Sequence, residues 1–407
     1  MYKYPRSAYI HIPFCHRRCF YCDFAVVPLG DKVDSSKGKG SKTINDYLDF
    51  LKREILSIKH KAPLSTIYIG GGTPSILNPV QIRNLIDIFK HHYGVDNGAE
   101  VTMEVDPASF NEDDLYGFIN AGVNRFSLGV QSFNNQVLKN AGRRHTQRDV
   151  QNSCYWLYKA MNGNFIKSWS LDLIQNLPVI GSKIWSNDLY KAINFYPPHL
   201  SIYDLSVEDG TVFKRLQDLG ELVLPDQDLS FYNSKLTSKI LKKAGYLRYE
   251  ISNYSISGHQ SRHNRVYWKG LGWWAFGQGS TSSPWGIKFT RPKSIKGYKT
   301  WVKEQCEVKL DDSLIKKSNK YLDLDEKIML GMRLREGVNM RNLFAEQGWN
   351  NDVSANNFIK LMKIWQKYLE SGLLSNVGDR FFLSDPEGME LSNQILIDMF
   401  RWWDQIN

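Results

Sequence analysis

The sequence predicts an α/β fold, a partial (β/α)6 barrel followed by a smaller, mostly helical C-terminal domain. Short β-rich segments alternate with helical patterns up to about residue 250, the mark of βα units around a parallel sheet. Beyond about residue 300 the β pattern fades. The length of 407 residues exceeds the roughly 100 to 200 of one domain. Residues 1–250 are therefore expected to form the barrel, 251–300 a connecting segment and 301–407 the helical domain.

Strands are expected at 8–12, 66–70, 100–105, 125–130, 168–174 and 199–203. Between the first two, Ile44, Tyr47, Leu48, Leu51, Ile55 and Ile58 form one apolar face at helical spacing. The next helix takes Asn78 as its N-cap and Pro79 at its first position, followed by Ile82, Leu85 and Phe89. Asn111 caps a third, with Glu112, Asp113 and Asp114 in the first turn and Gly122 past its end. Residues 29–43, rich in Gly, Ser and Lys, read as a mobile surface loop. In the C-terminal part, 322–334 and 357–369 read as helices, with a short hairpin around 374–383. Six βα units rather than eight argue for an open barrel, and its active face should be the C-terminal ends of the strands.

Composition narrows the class. A hydrophobic share of 42% and a mean hydropathy of −0.41 suit a globular chain with a sizeable core. No stretch approaches the roughly 18 apolar residues of a membrane span, and Lys3, Arg6, Arg17 and Arg18 near the start leave no separate apolar signal region. A cytoplasmic location is expected. The 52 Lys plus Arg outnumber the 42 Asp plus Glu for a net charge of +10. The basic residues are scattered, so no nucleic-acid partner is expected.

Five cysteines are too few and too unevenly placed for a disulfide framework. Cys15, Cys19 and Cys22 fall within eight residues, directly after the first expected strand, whereas Cys154 and Cys306 stand alone. Three thiolates on one loop can hold three irons of a [4Fe-4S] cube and leave the fourth open. Zinc completed by His11 or His16 is the competing reading.

Further polar residues fall where strands end. Gly70-Gly71-Gly72-Thr73-Pro74 follows the second strand, where glycines admit close approach of a ligand to the backbone. Glu104 ends the third strand and Gln131 the fourth, with Arg143 and His145 further on. Taken singly each also suits a plain turn or a solvated surface. Asp172 lies within the apolar fifth strand, and an unpaired carboxylate there is costly.

The run from Tyr9 to Phe24, with its CxxxCxxC spacing, resembles the radical S-adenosylmethionine signature, and its flanking residues resemble the oxygen-independent coproporphyrinogen oxidase family. That resemblance implies a [4Fe-4S] cluster on Cys15, Cys19 and Cys22. It implies S-adenosylmethionine held by Tyr9, Tyr21, Gly71, Gly72, Thr73, Glu104, Gln131, Arg143 and Asp172, with the GGGTP turn at its amino group and Arg143 at its carboxylate. Within the family, coproporphyrinogen oxidases typically carry a longer N-terminal extension and a further cysteine after the third ligand. Here eight residues precede Tyr9, and Asp23-Phe24 follows Cys22. Both features, together with Tyr249 to Tyr254, His263-Asn264-Arg265-Val266-Tyr267-Trp268 (the HNxxYW motif) and Leu324 to Gly337, resemble the HemW-type haem chaperone branch. Gln175-Asn176 and Thr281 depart from the family's usual residues.

That branch implies haem as a third ligand, bound by His263, Tyr267 and Trp268. A neutral imidazole can ligate haem iron, and Tyr267, Trp268, Trp273 and Trp274 offer broad faces to a porphyrin. No CxxCH occurs, so thioether attachment is not expected. The expected function is delivery of haem to acceptor proteins, respiratory and membrane-associated ones among them, by a chain that can pair as a homodimer. Oxygen-independent oxidation of coproporphyrinogen III is the alternative, and radical modification of RNA a third. No catalytic residue is named.

Overall fold

The computed structural model describes residues 4–59, 61–178, 183–308 and 322–406. All six expected strands form: β1 (Ser7–Ile12), β2 (Leu64–Gly71), β3 (Val95–Val105), β4 (Arg125–Gln131), β5 (Ser168–Gln175) and β6 (His199–Asp204). Both faces of these strands are covered, which is why they read as near-continuous apolar runs. In β1 only Tyr9 is not fully buried.

Three further short strands complete the sheet: β7 (Leu247–Arg248), β8 (Asn253–Ser255) and β9 (Trp274–Phe276). The order is β9-β1-β2-β3-β4-β5-β6-β8-β7, parallel from β9 to β6 and antiparallel at β8 and β7. The sheet is open, as six units imply. Residues 251–300, expected to connect two domains, instead supply the strand that covers the outer edge of β1. A three-residue run, Trp274-Ala275-Phe276, is too short to announce a strand by periodicity.

Helices α1 (Gly38–Ser57), α2 (Pro79–His92), α3 (Glu112–Ala121), α4 (Gln147–Asn162), α5 (Ile184–Ile193) and α6 (Gln227–Lys243) accompany the strands. Asn78 and Asn111 each form a full capping box, and Gly122 closes α3 at φ +112°. The expected loop at 29–43 ends earlier, because Gly38 to Thr43 belong to α1. Ser41 and Ile44, one turn apart, are both buried, so tertiary packing overrides the low helix propensity of the Gly/Lys/Ser tract. Cys154 is buried in α4, away from the cysteine loop, and the Cys306 side chain lies outside the described residues.

A seventh helix, α7 (Arg262–Trp268), carries the HNxxYW motif, and α8 (Ile295–Val308) packs on α1. The C-terminal part is helical, as expected, with α9 (Leu324–Met332), α10 (Asn351–Glu370) and α11 (Ser392–Ile406). The hairpin expected around 374–383 forms as β11 (Leu374–Val377) and β12 (Arg380–Leu383), joined by β10 (Val338–Asn339) in the order β10-β12-β11. These elements share their own apolar cluster around Trp365, Phe381, Met399 and Trp402. Among the described residues no helix is long and apolar enough to cross a membrane.

Candidate functional site

The cysteine loop leaves β1 at the C-terminal end of the sheet and is pinned on both sides. Phe20 N donates to Ala141 O at 3.0 Å, and Leu29 N to Cys15 O at 2.8 Å. Cys15 is buried, while Cys19 and Cys22 are partly exposed. Burial pushes the Cys15 thiol up to about 12 and raises Cys22 as well. Thiolates in this loop therefore need a cation of their own. The single-zinc reading needs a fourth ligand, and its two histidine candidates differ. His11 is engaged at both ring nitrogens, with Tyr9 OH at 3.1 Å and Ala25 O at 3.2 Å, and His16 Nδ1 with Gly30 O at 3.3 Å.

The turn after β2 lies directly against this loop. Gly72 N donates to Ile12 O at 2.8 Å and Thr73 N to Phe14 O at 2.7 Å. A Cβ on Gly72 would stand 2.7 Å from Phe14 O and 2.8 Å from Cys15 Sγ, so only glycine fits. Gly71 adopts φ +119°, which also requires glycine. Its N–H donates to Glu104 Oε2 at 3.0 Å, and Tyr68 OH donates to Oε1 at 2.9 Å. Burial outweighs both bonds and raises the Glu104 carboxyl to about 7. Asp172 is raised for the same reason, although Ser127 and Ser170 donate to it at 2.7 and 3.2 Å.

Gln131 sits at a bulge between β4 and β5 with φ +66°. Such a left-handed non-glycine residue re-aims its side chain at a local cost of about 1 to 3 kcal/mol. Arg143 is less free than expected. Its Nη2 ion-pairs with Asp106 and donates to Gly129 O at 2.9 Å, and its Nη1 reaches Cys19 Sγ at 3.3 Å. Only Nε is left without a partner, and it is buried. For Asp106, burial opposes ionisation, but Arg143 and His145 outweigh it and hold the carboxyl well below the usual range. His145 is itself buried, its Nε2 against Val130 O at 3.0 Å. Cys15, Cys19, Cys22, Tyr21, Gly71, Gly72, Thr73, Glu104, Gln131, Arg143 and Asp172 all line one cavity of about 440 Å³.

A family model for the Radical SAM superfamily matches residues 9–170. Across nearly its whole length the chain is similar to the heme chaperone HemW of Synechocystis sp., at 34% identity over 98% of this chain and 97% of that protein. The heme chaperone HemW of Lactococcus lactis is 32% identical over 97% of each. The chain belongs to the HemW family of radical SAM proteins. A solved structure of coproporphyrinogen III oxidase (HemN) from Escherichia coli superposes with a TM-score of 0.76 over 97% of this chain and 90% of that one. At 20% identity this likeness shows the shared fold alone.

For this HemW-family chain, four expected site residues stand apart from the cavity lining. Tyr9 lies beside it, stacked on Tyr68 at 6.0 Å. His263, expected as an axial donor on a loop, lies in a helix and is only 1% exposed. Its Nδ1 meets Thr66 Oγ1 and its Nε2 meets Tyr267 OH, both at 2.8 Å, so both ring nitrogens are engaged. Tyr267 packs edge-on against Trp273 at 4.8 Å, and Trp268 lies under Arg333 at 5.7 Å. Trp274 is fully buried in β9. Of the aromatic faces expected to stack a porphyrin, that of Trp274 is thus turned into the protein, while Tyr267, Trp268 and Trp273 are half-buried.

Tyr68, Asp106 and Tyr203 are among the cavity residues that escaped the sequence. Asp106 follows Glu104 by two, the period that returns a strand to the same face, and this spacing is the signal that could have found it. Tyr68 and Tyr203 look like ordinary strand aromatics, and only the packing of the sheet places them at the cavity. Of the two departures from the family's residues, Asn176 donates to Asp204 at 2.6 Å at φ +63°, and Thr281 pairs with Thr290 at 2.7 Å on a short exposed hairpin.

Proposed function

We propose that the chain is a haem chaperone: it holds a [4Fe-4S] cluster on Cys15, Cys19 and Cys22, binds S-adenosylmethionine in the adjoining cavity, and delivers haem to acceptor proteins in the cytoplasm or at its membranes. The observation that carries this reading is the convergence of three thiols, two carboxylates and a glycine turn on one cavity at the strand ends. The residues fit the group. No fourth cysteine shares the loop, Gly72 leaves room beside Cys15 where a Cβ would not fit, and Arg143 Nε is buried without a partner.

When bound, the cluster with S-adenosylmethionine supplies one-electron chemistry. The chain's own part is binding and orientation. Thr73 bonds to the Cys15 thiol, while Glu104 and Asp172 present carboxylates to a cationic ligand. Arg143 ties Asp106 to Cys19 and fixes the far wall. Haem as cargo rests on the relatives' description as heme chaperones. The oxidase alternative has only a likeness of fold behind it.

The test is anaerobic reconstitution followed by titration with S-adenosylmethionine and haem, then transfer to a haem-depleted acceptor protein. Wild type should take up iron, bind both ligands and load the acceptor without forming protoporphyrinogen. Cys19→Ala should lose the cluster while Cys154→Ala keeps it. Arg143→Ala should weaken S-adenosylmethionine binding by roughly ten- to a hundredfold, the equivalent of about 1.5 to 3 kcal/mol. Protoporphyrinogen formation from coproporphyrinogen, or cluster loss in Cys154→Ala alone, overturns the reading.

A further inference from the structure

The HNxxYW helix is built into the underside of the sheet. Glu100 of β3, 7% exposed, accepts from the backbone N–H groups of both Arg262 (3.1 Å) and His263 (3.0 Å), and Ser261 caps the helix by accepting from Asn264 N at 3.2 Å. This docking sets the rotation of α7. His263 and Tyr267, four residues apart, share the face turned to the sheet. Arg265, paired with Glu336, and Trp268, beneath Arg333, meet the C-terminal part instead.

The inward face ends on one tyrosine. The His263 ring is fixed at both nitrogens, by Thr66 and Tyr267, and lies 5.2 Å from the ring of Tyr68 at 31°. Tyr9 flanks Tyr68 as well, at 6.0 Å and 25°. Tyr267 is braced in turn by Trp273. Held in this way, Tyr68 directs its hydroxyl to Glu104 Oε1 at 2.9 Å, and the only other hydrogen bond to that carboxylate among the described residues comes from Gly71 N. Burial lowers His263 to about 3. The ring stays neutral, with one nitrogen donating and the other accepting.

We propose that His263 and Tyr267 are positioning residues for Glu104. By seating Tyr68 under the carboxylate they serve the S-adenosylmethionine cavity. This rests on the reading that Glu104 binds S-adenosylmethionine. The titratable groups facing Glu104 are Tyr9, Tyr68, Tyr203, Tyr267 and Asp172. Burial, the largest influence, raises the Glu104 carboxyl, Asp172 adds to it, and the Tyr68 and Gly71 bonds pull the other way. Unseating Tyr68 removes one of those two bonds and moves the carboxyl further up. Less of it is then ionised near neutral pH, and the deficit disappears as pH rises past the new value.

The experiment uses the full chain, reconstituted anaerobically, as wild type, His263→Ala, His263→Gln and Tyr267→Phe. S-adenosylmethionine and haem are titrated across pH, and iron content and circular dichroism are recorded for each protein. His263→Ala should weaken S-adenosylmethionine binding by about tenfold at pH 7, the loss of one hydrogen bond to a charged group. Its ratio to wild type should close toward one as pH is raised by about two units. Tyr267→Phe should act in the same direction but less, and His263→Gln, which can still bond to Tyr267, should recover most of the affinity. Iron content should match wild type throughout. Loss of the haem spectrum in His263→Ala with S-adenosylmethionine affinity intact overturns the inference and makes His263 the haem ligand. If His263→Ala does not fold, unchanged S-adenosylmethionine affinity in Tyr267→Phe overturns it. Failure of wild type itself to bind S-adenosylmethionine removes the underlying reading instead.

Discussion

A methyl group decides whether the cysteine loop and the glycine turn can share their space. The two nearest atoms that a Cβ on Gly72 would meet, Phe14 O and Cys15 Sγ, belong to the loop that leaves β1, and the carbonyl is held by the Thr73 N–H. Gly72→Ala forces the turn and Cys15 apart, with a strain of about 1 to 3 kcal/mol. The protein should still fold, since the sheet beneath is untouched, but reconstitution should deliver less iron per chain. Full iron content with an unaltered cluster spectrum would show that Cys15 can move away. The glycine run and the cysteines were legible as residues because their spacing is local. The role of Tyr68 was not, since a tyrosine in a buried strand reads the same whether it packs or positions.

Between elements, a buried ion pair joins α1 to the chain that follows β9. Glu54 and Arg291 are 2% and 1% exposed and meet at 2.7 Å. Gly277 N and Tyr298 OH add bonds to the same carboxylate at 2.9 and 2.7 Å. Removing one partner leaves the other charge buried, which costs about 3 to 5 kcal/mol, whereas replacing both by apolar groups costs far less. Arg291→Met should therefore lower the denaturant midpoint markedly, and Glu54→Leu combined with Arg291→Met should restore part of it. Equal loss in the single and double variants would show that the pair matters only as volume. The six long strands were legible because each is buried on both faces. The start of α1 and the edge strand β9 were not, because composition hid the first and brevity the second.

Over the whole molecule, Arg248 links the antiparallel edge of the sheet to the C-terminal part. It is 5% exposed and reaches Glu390 at 2.9 Å and Asp385 at 3.4 Å, and it also donates to the Ile251 carbonyl. Arg248→Ala strands two carboxylates at the junction, for a loss of roughly 2 to 4 kcal/mol. Hydrogen exchange should rise in β11, β12 and the start of α11, while amides in β2 to β4 keep their protection, because local openings follow the cooperative unit that was weakened. Uniform faster exchange across both parts would mean that they unfold as one.

By itself the sequence determined the class of fold, the order of the six parallel strands, the helix caps and the cysteine loop, because these depend on periodicity and on neighbours a few residues apart. It also named eleven residues that line the cavity, since strand-end residues of one parallel sheet must meet at one edge. Only the tertiary structure decided that Arg143 is taken up by Asp106 and Cys19, that Trp274 is a buried residue of the edge strand, and that His263 is engaged at both nitrogens. Each of these turns on partners far apart in the chain, Thr66 with His263 or Glu54 with Arg291. Side-chain identity shows what a residue can bind. Which partner occupies it is fixed only when the sheet brings distant segments within a hydrogen bond of each other.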